Sequence, residues 1–148
     1  RPGIGIYGGN NKNALLNKKI FPVVNLYGKI IQIKDINKGE YIGYNQTFKT
    51  NKKIKVAIIG VGYADGVPRQ LSNKGKVYYV NDKYKIIGRI SMDTFTIDIS
   101  NSKYNLQVGT FVDIINDRFG IEDFARQCNT ISNEVLTSIG KRVKKIYV

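Results

Sequence analysis

The sequence predicts a mainly β fold, an antiparallel barrel or sandwich with a few short helices. Three observations predict it. Short segments rich in Val, Ile, Tyr and Phe recur along the chain, separated by Asn, Asp and Gly. Within them, apolar and polar residues alternate with the period of a strand. Helical spacing is confined to the stretch after residue 120, so helices can only decorate the sheet.

Residues 1–19 stand apart from the rest. Arg1-Pro2-Gly3-Ile4-Gly5-Ile6-Tyr7-Gly8 is followed by the polar run from Gly9 to Asn13. This reads as the tail of another unit, joined by a linker to a β domain over 20–148. Val23 to Ile33 is the first strand candidate, and Lys34 to Gly39 supplies Asp, Asn and Gly for a turn. Glu40 to Phe48 is the second, with aromatic and β-branched residues at period two. Lys53 to Val61 is the third, with Ile54, Val56 and Ile58 on one face and Ala57 and Ile59 on the other. Lys76 to Val80 and Tyr84 to Ile90 flank Asn81-Asp82-Lys83, a hairpin turn. Thr94 to Ile99 alternates clearly, and Val108 to Ile115 follows. Ile121 to Cys128 and Asn133 to Ile139 carry apolar residues at helical spacing, with Gly140 as a stop. A short closing strand is expected over Arg142 to Val148. No internal repeat is visible.

At 148 residues the chain is long enough for one domain with a core of its own. Its formal net charge of +13 favours anionic partners: nucleic acid, a phosphorylated cofactor or an acidic second domain. Most of the excess is Lys scattered among Asn and Ile, which is also the mark of plain compositional bias. The cluster Lys141-Arg142-Val143-Lys144-Lys145 reads equally as a solvated strand edge. The chain has no His, which excludes His triads, His metal ligands and His proton shuttles within it. Its single Cys128 rules out an internal disulfide and fits a reducing cytoplasm. No segment approaches the length of apolar run that spans a bilayer, and no signal peptide is visible. The first residue is Arg rather than Met, as expected of a fragment.

Four stretches invite a functional reading. Ile59-Gly60-Val61-Gly62-Tyr63-Ala64-Asp65-Gly66-Val67-Pro68-Arg69 ends a strand in three glycines, yet lacks the Gly-Lys-Ser/Thr of a phosphate loop. It reads first as a turn, but Tyr63, Asp65 and Arg69 give it a hydroxyl, a carboxylate and a guanidinium. Tyr44 follows a glycine inside a strand pattern, where a bulge or a close approach is common. Alone, Tyr44 reads as a half-buried strand residue. Arg89-Ile90-Ser91-Met92-Asp93 reads alone as core and turn. Gly3 and Ile4 offer backbone N–H groups of the kind that hold phosphate.

In order and spacing, these pieces resemble the alanine racemase family, over essentially the whole chain. Arg-Pro-Gly-Ile-Gly-Ile-Tyr-Gly at 1–8 is similar to the end of that family's pyridoxal-phosphate barrel. Tyr44 in Ile-Gly-Tyr-Asn-Gln-Thr-Phe is similar to its catalytic tyrosine motif, and Tyr63 in Gly-Tyr-Ala-Asp-Gly lies nineteen residues on. Ser-Met-Asp at 91–93 and Thr-Ile-Ser-Asn-Glu-Val at 130–135 complete the set.

The resemblance implies the C-terminal β domain of a two-domain enzyme, preceded here by the last turn of an absent α/β barrel. It implies interconversion of L- and D-alanine, supplying D-alanine for peptidoglycan in the cytoplasm. It also implies a head-to-tail homodimer in which each β domain serves the other subunit's barrel. Tyr44 would move the proton on one face, and a Schiff-base lysine outside this chain would serve the other. A phenol titrates near pH ~10, so acting as a base calls for a cationic setting. Arg1 would donate to the pyridine nitrogen, Gly3 and Ile4 would hold the phosphate, and Tyr63 would stand by the cofactor. Met92 and Asp93 would line the substrate carboxylate region. Arg69, Arg89 and Ile131 would line an access channel narrow enough to favour small amino acids.

Two positions depart from the family pattern. Asn45 stands where glycine is usual after the tyrosine, and Asn133 where a tyrosine commonly reaches the phosphate region. An Asn133 amide donates from a shorter side chain, through water at most. A broader or basic amino-acid racemase is the alternative within the class. A basic nucleic-acid-binding barrel and a non-catalytic dimerisation domain are the alternatives outside it, although no clustered aromatic and basic strand motif supports the former.

Overall fold

The architecture comes from a computed structural model that describes residues 3–9 and 21–147. Strand β1 runs over Leu26–Ile36. Leu26, Gly28 and Ile30 point inward, and Tyr27, Lys29 and Ile31 outward, the period-two pattern the sequence carries. Its register slips between Ile30 and Gln32, a bulge that takes the strand from one neighbour to another.

Beyond it lie β2 (Tyr41–Ile42), β3 (Phe48–Lys49), β4 (Ile54–Ile59), β5 (Lys76–Tyr79) and β6 (Asp82–Ile87). Strands β7 (Phe95–Asp98) and β8 (Phe111–Ile115) and helices α1 (Ile121–Gln127) and α2 (Ser132–Ser138) complete the described elements. Six of the strands close into a barrel in the order β1-β4-β7-β6-β5-β8. Every described pairing is antiparallel. Closure decides between barrel and sandwich, and it leaves the barrel no free edge.

The barrel is filled by Ile30, Ala57, Ile59, Ile97, Val112 and Ile115, with no measurable exposure. Ile121 and Phe124 of α1 and Val135 of α2 extend the same core. Each large side chain of this kind contributes roughly 1.5–3 kcal/mol on burial. Cys128 is buried at the end of α1, and desolvation pushes its thiol up to about 11, so it stays neutral. A second, smaller core of Ile42, Ile54, Val56 and Ile87, with Ile36 and Phe48, lies beneath the β2–β3 pair.

Three expectations are corrected. The strand expected from Glu40 to Phe48 is broken by a 3-10 turn over Tyr44–Gln46. Gly43, Asn45 and Gln46 all take left-handed backbone there, which no strand accommodates. The β5–β6 turn is Val80-Asn81, with Tyr79 opposite Asp82, so Asp82 and Lys83 belong to β6. Finally, Arg142 to Tyr147 forms no strand. The barrel is already closed by β1 and β8, which leaves that segment no barrel edge to join. Among the described residues, no helix is long and apolar enough to cross a membrane.

Candidate active site

Tyr44 is held out from the barrel by the turn that breaks the predicted strand. Gly43 has φ 75°, and a Cβ on it would lie 2.6 Å from the Arg89 backbone nitrogen. Only glycine lets the turn seat this closely on the segment before β7. Asn45 follows at φ 59°. Asn is among the few residues with a side chain that tolerate this conformation, which accounts for Asn45 at this point of the turn.

A brace that sequence reasoning did not find locks the turn in place. The Asn73 side chain donates to Thr47 Oγ1 at 3.2 Å and accepts the Gly88 N–H at 2.7 Å. Its partners lie 26 and 15 residues away in sequence, so no local pattern reveals it. The Tyr44 side chain is left exposed, at 69 % of its full surface. With Arg89, Ser91 and Thr94 it lines a depression of about 310 Å³. Arg89 Nε is buried there with no hydrogen-bond partner among the described residues. A larger recess, about 500 Å³, opens at the β5–β6 hairpin and is lined by none of the predicted site residues.

Tyr63 opens a 3-10 turn over Tyr63–Asp65 directly after β4. Its N–H donates to Ser91 O at 3.0 Å, and the Ala64 N–H donates to Met92 O at 3.0 Å. A Cβ on Gly62 would collide with the carbonyl oxygens of Ser91 and Met92. The glycine thus lets two loops, distant in sequence, fuse into one surface. Tyr63 and Met92 are both exposed on it. Asp65 is buried beneath, and its Oδ2 accepts the Gly62 N–H at 2.9 Å. Ser91 Oγ, bonded to Thr94, holds the turn that carries Met92 and Asp93.

The remaining predicted residues are more scattered. Arg69 is exposed at the start of a 3-10 turn over Arg69–Leu71. Ile131 occupies the N-cap of α2, an apolar side chain left 67 % exposed where Ser or Asp is favoured. Asn133 is exposed in the first turn of the same helix. At the other end of α2, Ser138 and Ile139 pack on Gly66, which ties the helix to the Tyr63 loop. Gly3 and Ile4 open the 3-10 turn Gly3–Tyr7. Gly3 has φ 51° and, among the described residues, nothing near its Cβ position, which leaves room beside the first N–H groups of that turn. Arg1 lies outside the described residues.

The family model described as alanine racemase, C-terminal domain, matches residues 23–147. The chain belongs to the alanine racemase C-terminal domain family.

Tyr44, Tyr63, Met92, Asp93 and Ile131 all fall within the stretch matched to that family. An alanine racemase of Brucella canis is 40% identical across the whole chain, which covers 41% of that protein. The alanine racemase of Bartonella henselae, solved with covalently bound pyridoxal phosphate, superimposes with a TM-score of 0.93. It is 38% identical over 99% of this chain and 40% of its own. That of Bacillus anthracis, solved with bound L-Ala-P, gives a TM-score of 0.84 at 32% identity, over 95% of this chain and 37% of its own. The chain thus spans about two-fifths of the relatives it matches.

Proposed function

We propose that this chain is the C-terminal part of a racemase that interconverts L- and D-alanine, with Tyr44 transferring the proton on one face of the α-carbon. The observation that carries this reading is the presentation of Tyr44. An exposed phenol stands on a left-handed turn, seated on Arg89 and braced by Asn73. Such a side chain contributes little to a core and is placed for chemistry on something outside the chain.

Racemisation removes the α-proton from one face and returns one to the other, so an acid/base group is needed on each. The Tyr44 side chain takes the proton on its face as phenolate or returns one as phenol, and the Arg89 guanidinium brings positive charge to the same depression. A lysine from the part of the enzyme outside this chain serves the opposite face. Pyridoxal phosphate, when bound, supplies the electron sink that makes the α-proton removable. The N–H groups of Gly3 and Ile4 would hold its phosphate, Arg1 its ring nitrogen, and Tyr63 would stand alongside. The Met92 backbone N–H would donate to the substrate carboxylate, and Asp93 would line the region beside it. Arg69, Arg89 and Ile131 would line the access channel. Tyr44, Tyr63, Met92 and Ile131 are all exposed, in keeping with a face that meets the barrel of a second subunit in a head-to-tail dimer. D-alanine made in this way would serve peptidoglycan.

The test is Tyr44→Phe in the full-length enzyme. Loss of the general acid/base is expected to cut racemisation at least about 100-fold in one direction or both. Circular dichroism and thermal melting should be unchanged. Near-normal rates in both directions would overturn the role of Tyr44. Turnover of alanine, serine, lysine and arginine, compared side by side, should favour alanine.

A further inference from the structure

We propose that Arg142 is a positioning residue, its guanidinium forked between Asp65 and Asp93 so that the Met92–Asp93 segment is fixed against the Tyr63 loop. The proposal rests on the racemase reading above, in which these two loops face substrate and cofactor.

Three stretches of chain meet at this point. The main chain arrives from α2 through Ile139 and Gly140, where a Cβ on Gly140 would lie 2.9 Å from Ala64 O. Arg142 then reaches both loops. Its Nη2 donates to Asp93 Oδ1 at 2.6 Å, and its Nε lies 3.4 Å from Asp65 Oδ1. The two carboxylates differ in setting. Asp65 has a side chain only 11% exposed, and its other oxygen already accepts the Gly62 N–H. The Asp93 side chain is 57% exposed, and its partner among the described residues is Arg142.

Asp65 is therefore the fixed post, and Asp93 is the group that Arg142 tethers to it. Removing the guanidinium leaves two like charges facing each other, one of them nearly buried. The relief is for the exposed member to swing away, and Asp93 is joined directly to Met92. Backbone bonds from Tyr63 and Ala64 reach only as far as Ser91 and Met92, and the Ser91–Thr94 bonds close the turn around Asp93, so among the described residues its side chain is held by Arg142. Lysine is a poor substitute, because a point charge cannot bond two carboxylates from one planar fork.

The Arg142–Asp93 pair is half-exposed, so its loss should be nearly silent in stability, and Asp65 keeps the Gly62 N–H when the longer Arg142 contact goes. The loss should be visible in catalysis, where a displacement of about 1 Å can cost up to about 100-fold. The experiment measures kcat, KM and Tm for the full-length enzyme and its Arg142→Met, Arg142→Lys, Asp93→Asn and Arg126→Met variants. Arg126, ion-paired with Asp123 on the surface of α1, is the control and should stay within about twofold of wild type.

Arg142→Met is expected to lower kcat/KM for alanine about tenfold, mainly through KM, with Tm nearly unchanged. Arg142→Lys should recover part of the loss. The double variant Arg142→Met/Asp93→Asn should be no worse than the poorer single, since both break one tether. Wild-type kcat/KM in Arg142→Met overturns the proposal. So does a loss that merely tracks the unfolded fraction while the surviving enzyme keeps its KM. Should Arg142→Met not fold, the proposal is overturned by an unchanged KM in both Arg142→Lys and Asp93→Asn. A wild-type enzyme that racemises no amino acid overturns the racemase reading and this role together, an outcome separate from an active enzyme indifferent to Arg142.

Discussion

Asn45 shows how much one residue's backbone decides. It sits at φ 59°, in the turn that lifts Tyr44 clear of the barrel. Asn45→Gly should therefore leave racemisation within about twofold, because glycine adopts this conformation freely. Asn45→Val should lower it severalfold, since a β-branched residue there costs on the order of 1–2 kcal/mol and the turn relaxes instead. Equal activity of the two variants would show that the turn's hand is irrelevant to Tyr44. The motif residues at this scale were legible in the sequence: Tyr44, Tyr63 and Met92 stand in short stretches whose order and spacing carry the resemblance. Asn73 and Arg142 were not legible. Arg142 bonds Asp93 across 49 positions, and a contact of that span leaves no trace in local spacing.

Strands and helices followed their periodicity, and the elements failed where geometry outside the segment intervened. The helices over Ile121–Gln127 and Ser132–Ser138 are those that apolar spacing predicts, to within a residue at each end. The closing strand failed because alternation cannot report whether a sheet edge is available. The strand expected over Glu40 to Phe48 failed because Gly43 and its successors reverse hand. Ile131 is an instructive misfit, an exposed apolar N-cap where local preference asks for a hydroxyl. Ile131→Ser should stabilise α2 by about 0.5–1 kcal/mol, raising Tm, because a side-chain oxygen can then accept a first-turn N–H. If Ile131 lines the access channel, the same variant should alter KM for alanine. A rise in Tm with KM unchanged would remove Ile131 from the channel and leave it a surface residue.

At the scale of the whole molecule, the closed barrel carries the main core and the β2–β3 ribbon a smaller one. The β domain was legible as a class because strand-rich segments dominate its sequence. Closure was not legible, because pairing β1 with β8 joins residues from opposite ends of the domain. The β2–β3 ribbon lies outside that closed ladder, paired at Tyr41 with Lys49 and Ile42 with Phe48 and through Thr50 to Gly39 and Glu40, and rests on the smaller cluster. Heat should therefore silence the enzyme before it melts. Small cooperative units open at lower free energy than the global transition. On warming, turnover should fall reversibly while the far-ultraviolet signal of the barrel holds, and the amides around Tyr44 should exchange with deuterium ahead of those in β4 and β7. Loss of activity that coincides with the barrel's own transition would show that the ribbon and the barrel open as one unit.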